Sequence, residues 1–106
     1  MAHPLTNREV ADIFLGIADR MEILGEDRYR LLAYRRAGEA IADLPMPLSD
    51  YRARGALDEI PGIGKTIAEK VGVLLDTGSL PLAERLRAEV PDGVLELLRV
   101  PDLGPG

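Results

Sequence analysis

Ile60-Pro61-Gly62-Ile63-Gly64-Lys65 is the stretch whose residue types and spacing bear most directly on chemistry. Proline fixes one turn position, and glycines open backbone angles closed to other residues. Bare glycines also let another molecule come close to the main chain. Gly64 stands at the start of a helix, where the first N–H groups have no partner inside the helix. Such amides suit a phosphate oxygen. The N–H groups of Gly62, Gly64 and Lys65, flanked by Ile63 and Thr66, are therefore expected to hold a nucleic-acid backbone. The plainer alternative is a Pro-Gly corner between two helices, which needs only one glycine.

Two other glycine motifs fail on spacing. A P-loop needs a glycine five residues before its Gly-Lys-Thr, and Glu59 stands there. A dinucleotide fingerprint needs glycine at its sixth position, counted from Gly62, and Ile67 stands there.

Lys70 is the candidate nucleophile. At about 100° per residue, Ile67, Val71 and Leu74 share an apolar stripe, Lys70 lies at its edge, and Lys65 faces the wet side. A neutral lysine amine attacks aldehydes to form a Schiff base, and partial desolvation favours the neutral form. The ring-opened sugar of an abasic site is such an aldehyde. The plainer alternative is a lysine that packs its stem and keeps its ammonium in water. A second cluster, Arg28-Tyr29-Arg30 with Tyr34-Arg35-Arg36, interleaves aromatics with charge. Arginine binds phosphate bidentately, and tyrosine stacks on exposed bases. Against that, the spacing of Tyr34 from Leu31 and Ile41 suits a core residue.

Helices must position these groups. Thr6-Asn7-Arg8-Glu9 has the pattern of a capping box, and apolar residues recur at helical spacing from Val10 to Leu24 before Gly25. A second helix is expected over about 27–43, broken by Leu44-Pro45-Met46-Pro47. Ser49 is expected to cap a short helix through Tyr51 and Arg54, and residues 57–59 to make another turn. Further helices are expected over about 65–76, from Pro81 to about Glu89, and from Pro91-Asp92 to Leu98. No segment alternates with period two over strand length. The expectation is an all-α bundle of about four main helices plus short turns, containing a helix-hairpin-helix motif.

With 106 residues and 46% hydrophobic content, the chain can build one core or two small subdomains sharing it. Its aromatics are Phe14, Tyr29, Tyr34 and Tyr51, so aliphatic residues must fill that core. It has no cysteine, hence no disulfide or thiolate site, and its one histidine, His3, is expected to be solvated. No apolar run approaches the roughly 18 residues of a membrane span, and no signal peptide is visible, so a cytoplasmic protein without membrane contact is expected. The formal net charge of −5 argues against a general DNA-coating protein. The distribution is more telling. Residues 28–70 carry eight basic and six acidic side chains, whereas residues 1–27 and 71–106 are both net acidic. Both lysines, Lys65 and Lys70, fall in or just after the hairpin.

Val100-Pro101-Asp102-Leu103-Gly104 loosely repeats Ile60-Pro61-Gly62-Ile63-Gly64 forty residues later. Residues 1–98 thus form the expected main domain, and residues 99–106 the start of a second hairpin in a longer protein. An ordinary Pro/Gly tail is the alternative.

At these residues the sequence resembles the amino-terminal, DNA polymerase beta-like domain of family X DNA polymerases, the bacterial members above all. Ordered blocks carry the resemblance: Ile17-Ala18-Asp19 with Glu22-Ile23-Leu24-Gly25-Glu26, then Ala33-Tyr34-Arg35-Arg36-Ala37. The hairpin with Ile67-Ala68-Glu69-Lys70 follows, then Asp76-Thr77-Gly78-Ser79-Leu80. The hairpin alone is widespread in DNA-repair proteins; the ordered set is more specific. The resemblance implies a module that binds gapped, nicked or 5′-phosphorylated DNA without reading sequence, using Arg30, Tyr34, Arg35 and the hairpin. It also implies a 5′-deoxyribose phosphate lyase alternative, with Lys70 as Schiff-base nucleophile and Glu69 beside it. Two lysines of that pattern are replaced here by Thr66 and Leu82. No cofactor is implied beyond a monovalent cation on the carbonyls of Asp58, Ile60 and Ile63. Polymerase and phosphoesterase domains would follow in the same chain as partners. A third alternative makes the hairpin only a corner and the acidic surfaces a protein-docking site.

Overall fold

Thr6 starts the first helix as the capping box requires. In the computed structural model, which describes residues 5–99, α1 spans Asn7–Leu24. The Glu9 amide donates to Thr6 Oγ1 at 3.1 Å, and the Thr6 amide donates to Glu9 Oε1 at 2.8 Å. Both donors would otherwise lack partners. At the other end Gly25 adopts φ +71°, and the amides of Gly25 and Glu26 fold back onto the carbonyls of Glu22 and Met21. Asp27 then caps α2 (Arg28–Ala42), accepting from the Tyr29 amide at 2.9 Å. The two helices form the largest packed pair, and Gly38 lets them approach. A methyl group there would lie 2.7 Å from Leu15 Cγ, inside the contact distance of close-packed side chains.

After the proline break come α3 (Leu48–Ala53) and a 3-10 turn (Leu57–Glu59). Ser49 does not cap α3; it is the second residue of that helix, and Pro47 stands at the cap without a side-chain bond. Asn7 does the work from the start of α1. Its amide nitrogen donates to the Met46 carbonyl, and its amide oxygen accepts from the Leu48 amide, both at 2.8 Å. The hairpin leads into α4 (Lys65–Thr77), then α5 (Pro81–Glu89) with its proline in the first turn, then α6 (Asp92–Arg99). Arg52 of α3 clasps Asp76 of α4, with Nη2 to Oδ2 at 2.8 Å, and this hydrogen bond pulls the exposed Asp76 carboxyl below its usual range.

The described residues contain no strand, so the expected all-α class holds. Phe14, Ile17 and Met21 of α1, Leu31 and Ile41 of α2, and Val71 and Leu74 of α4 meet in one core, each 2% exposed or less. Among the described residues no helix is long and apolar enough to cross a membrane. His3 and the hairpin-like repeat from Val100 lie outside the described residues.

Candidate nucleic-acid interface

The bend after residue 60 is a β-turn whose residues divide its labour. The Ile63 amide donates to the Ile60 carbonyl at 2.9 Å, closing the turn around Pro61 and Gly62. Gly62 has φ +95°, the left-handed value that a type II turn needs at its third residue. Ile60 and Ile63 point inward, 6% and 3% exposed, and burying each contributes about 1.5–3 kcal/mol relative to leaving it in water. These two anchors hold the main chain of the bend against the core while Pro61, Gly62, Gly64, Lys65 and Thr66 stay exposed.

Gly64 is the N-cap of α4, with φ −87°, ψ −178° and no side-chain cap. The amides of Gly62, Gly64, Lys65 and Thr66 have no backbone acceptor outside the helix, and the α4 ladder begins only with the Ala68 amide on the Gly64 carbonyl. Three successive N–H groups at the head of α4, those of Lys65, Thr66 and Ile67, are thus left for an external acceptor. The helix dipole adds its positive end there. Ile63 does not share in this: its amide is spent on the turn and its side chain on the core.

The hairpin packs on α2. A methyl group on Gly62 would lie 3.3 Å from both Ala40 Cβ and Arg36 Cγ. An open groove runs between the two, walled by Tyr29, Leu32 and Arg36 from α2 and by Gly62, Gly64 and Lys65 from the hairpin side, with Asp58 and Glu59 also lining it. Tyr29 is 85% exposed, a free aromatic face, and its position is not distinguished from that of Tyr34 by sequence alone. Tyr34 is 2% exposed and stacks on Phe14 with centroids 5.9 Å apart, so its ring belongs to the core and not to the groove.

Arg35 is also drawn away. Its Nη2 lies 2.9 Å from Glu22 Oε1 and 3.1 Å from Asp19 Oδ1, and the hydrogen bond to Glu22 above all holds its proton more firmly than usual. Arg30 is exposed in the first turn of α2 but does not line the groove. Lys70 is half-buried on α4 and has no hydrogen-bond or ion-pair partner among the described residues. Glu69 turns to a different groove, with Arg52, Asp58, Lys65 and Asp76, and Lys70 is not part of that lining. The two candidate catalytic side chains are therefore not gathered in one pocket.

Asp58, Ile60 and Ile63 offer carbonyl oxygens in the same bend. Those of Asp58 and Ile63 accept no backbone hydrogen bond among the described residues outside the helices, and that of Ile60 keeps one lone pair. Oxygen donors of this kind fit a hard monovalent cation.

A family model described as a helix-hairpin-helix domain matches residues 5–80, which include the whole bend and both helices that flank it. Among curated proteins, the chain is 29% identical over 100 residues to the DNA polymerase/3'-5' exonuclease PolX of Bacillus subtilis, covering 92% of this chain. It is 31% identical over 98 residues to DNA polymerase lambda of Rattus norvegicus, covering 87% of this chain. In each case the chain spans 16% of the length of the relative.

Proposed function

The chain belongs to the helix-hairpin-helix domain family, and from that premise we propose that it is the DNA-binding module of a family X repair polymerase. It grips gapped or nicked DNA through phosphates, the 5′-phosphate end included, and does not read sequence. One observation carries this reading. The amides at the head of α4 are uncapped and exposed, and the bend that presents them is anchored by buried Ile60 and Ile63. Phosphate contacts of this kind position a duplex without specifying bases. Tyr29, exposed in the adjoining groove, supplies a stacking face for an unpaired base of the gap. A monovalent cation on the carbonyls of Asp58, Ile60 and Ile63 would add positive charge beside the phosphate. Polymerisation and phosphoester hydrolysis belong, on this reading, to other domains of the same protein.

The test is binding of a labelled gapped duplex with and without a 5′-phosphate at the downstream edge of the gap. Tighter binding of the phosphorylated duplex is expected, with log affinity falling linearly in log salt. Equal binding of the two would remove end recognition, and binding indifferent to salt would favour the protein-docking alternative.

Lys70 supports a second reading, a 5′-deoxyribose phosphate lyase, because it is half-buried and unpaired among the described residues. Borohydride trapping on a 5′-deoxyribose phosphate substrate is expected to give a covalent adduct that Lys70→Ala abolishes. Trapping that survives the substitution would take the role from Lys70.

A further inference from the structure

We propose that Arg36, and not its neighbour Arg35, is the α2 cation that meets the nucleic-acid backbone beside the hairpin; this rests on the DNA-binding reading above. The two arginines are adjacent in sequence, so the helix turns them about 100° apart. That rotation separates their fates. Arg35 faces α1, where Glu22 and Asp19 neutralise it within 3.1 Å. Arg36 lines the groove with Tyr29, Gly64 and Lys65 and has no hydrogen-bond or ion-pair partner among the described residues.

Arg36 is also held in place by its stem. Its Cγ lies 3.3 Å from where a methyl group on Gly62 would sit, so the start of the side chain packs on the turn. Gly62 thus serves the turn and leaves room for this stem at once. Packing of the stem keeps the guanidinium in the groove that borders the free amides, and less rotamer freedom is lost when a phosphate arrives.

Charge balance makes this one residue matter. The groove carries two cations, Arg36 and Lys65, and two carboxylates, Asp58 and Glu59. Remove Arg36 and the lining becomes net negative, opposing the strand that the α4 amides attract. Each phosphate neutralised by a cation releases condensed counterions, so Arg36 should account for roughly one unit of the salt slope.

The experiment compares wild type, Arg36→Met, Arg36→Lys and Arg35→Met on a 5′-phosphorylated gapped duplex by fluorescence anisotropy across a salt series. Met keeps an unbranched stem for packing on Gly62 and removes only the charge. Arg36→Met is expected to weaken binding on the order of tenfold at low salt and to reduce the salt slope by about one. Arg36→Lys is expected to restore the slope. Thermal melts read the fold separately, and an intact melt with a reduced slope is what a purely structural role would not give. Wild-type affinity and slope in Arg36→Met would overturn the inference while leaving the DNA-binding reading standing. A reduced slope in Arg35→Met alone would reverse the assignment. A wild type that binds no DNA would overturn both.

Discussion

Gly62 and Gly64 stand two residues apart and are glycine for different reasons. Gly62 answers to the protein itself. Its φ of +95° is closed to most side chains, and Ala40 and Arg36 leave no room for a methyl group. Gly64 answers to nothing inside the protein. Its φ is ordinary, and an added methyl group would meet nothing within 4 Å. A bare Cα where the fold would accept a side chain points to close approach from outside. Serine discriminates the two roles. As an N-cap it ranks above glycine by a few tenths of a kcal/mol, because its hydroxyl accepts from the second or third helical amide. Gly64→Ser is therefore expected to leave stability unchanged or slightly raised while lowering DNA affinity on the order of tenfold, since the hydroxyl occupies the amides a phosphate needs. Gly62→Ser is expected to cost about 1–2 kcal/mol of stability from backbone strain alone. Urea melts and anisotropy titrations on both variants check this. A Gly64→Ser protein that binds as tightly as wild type would show that those amides are not the contact.

At the scale of elements, what the sequence reveals follows how local the cause is. The ends of α1, α4 and α5 are legible because Thr6, Gly25, Gly78 and Pro81 act on their own helix within a turn. The start of α3 is not legible, because its cap is Asn7, 41 residues upstream of the Leu48 amide it serves. Periodicity places Tyr34 in the core correctly, through its register with Leu31 and Ile41. It cannot tell Arg35 from Arg36. Both carry the same charge on the same helix, and what separates them is Asp19 and Glu22 on a different one. The amides at the head of α4 could be anticipated from Gly64-Lys65, since an N-terminus without Ser, Thr, Asp or Asn lacks a side-chain cap. That α2 supplies the opposite wall, with Tyr29 at its edge, depends on how α2 and α4 pack and is written in no single segment.

Across the whole molecule, the hairpin end and the α5–α6 corner are held by different physics. The hairpin is anchored by aliphatic burial; the corner is anchored by a buried cation. Arg20 stands within the apolar stripe of α1, three residues after Ile17, and is 7% exposed. Its Nε donates to the Val90 carbonyl at 2.7 Å, its Nη2 pairs with Asp92, and Gly16 leaves space for its Nη1. Apart from this clasp, α6 buries Leu95 at 5% exposure while Val94 and Leu97 remain 44% and 77% exposed. Arg20→Met keeps an apolar stem but strips the donor from the Val90 carbonyl, and an unsatisfied buried acceptor costs about 1–3 kcal/mol. That cost should fall on local opening of the corner. Amides of residues 92–97 are expected to exchange roughly tenfold faster or more in Arg20→Met. The 13 residues of α4, about 20 Å at 1.5 Å per residue, separate this corner from the bend. Sites so far apart with no shared partner act independently, so exchange across residues 60–68 and DNA affinity are expected to stay within about twofold of wild type. Hydrogen exchange by mass spectrometry and anisotropy on the same preparation check both halves. Unchanged exchange in α6 would mean that Leu95 alone holds it. Equal loosening at the bend would mean that the two ends open as one unit.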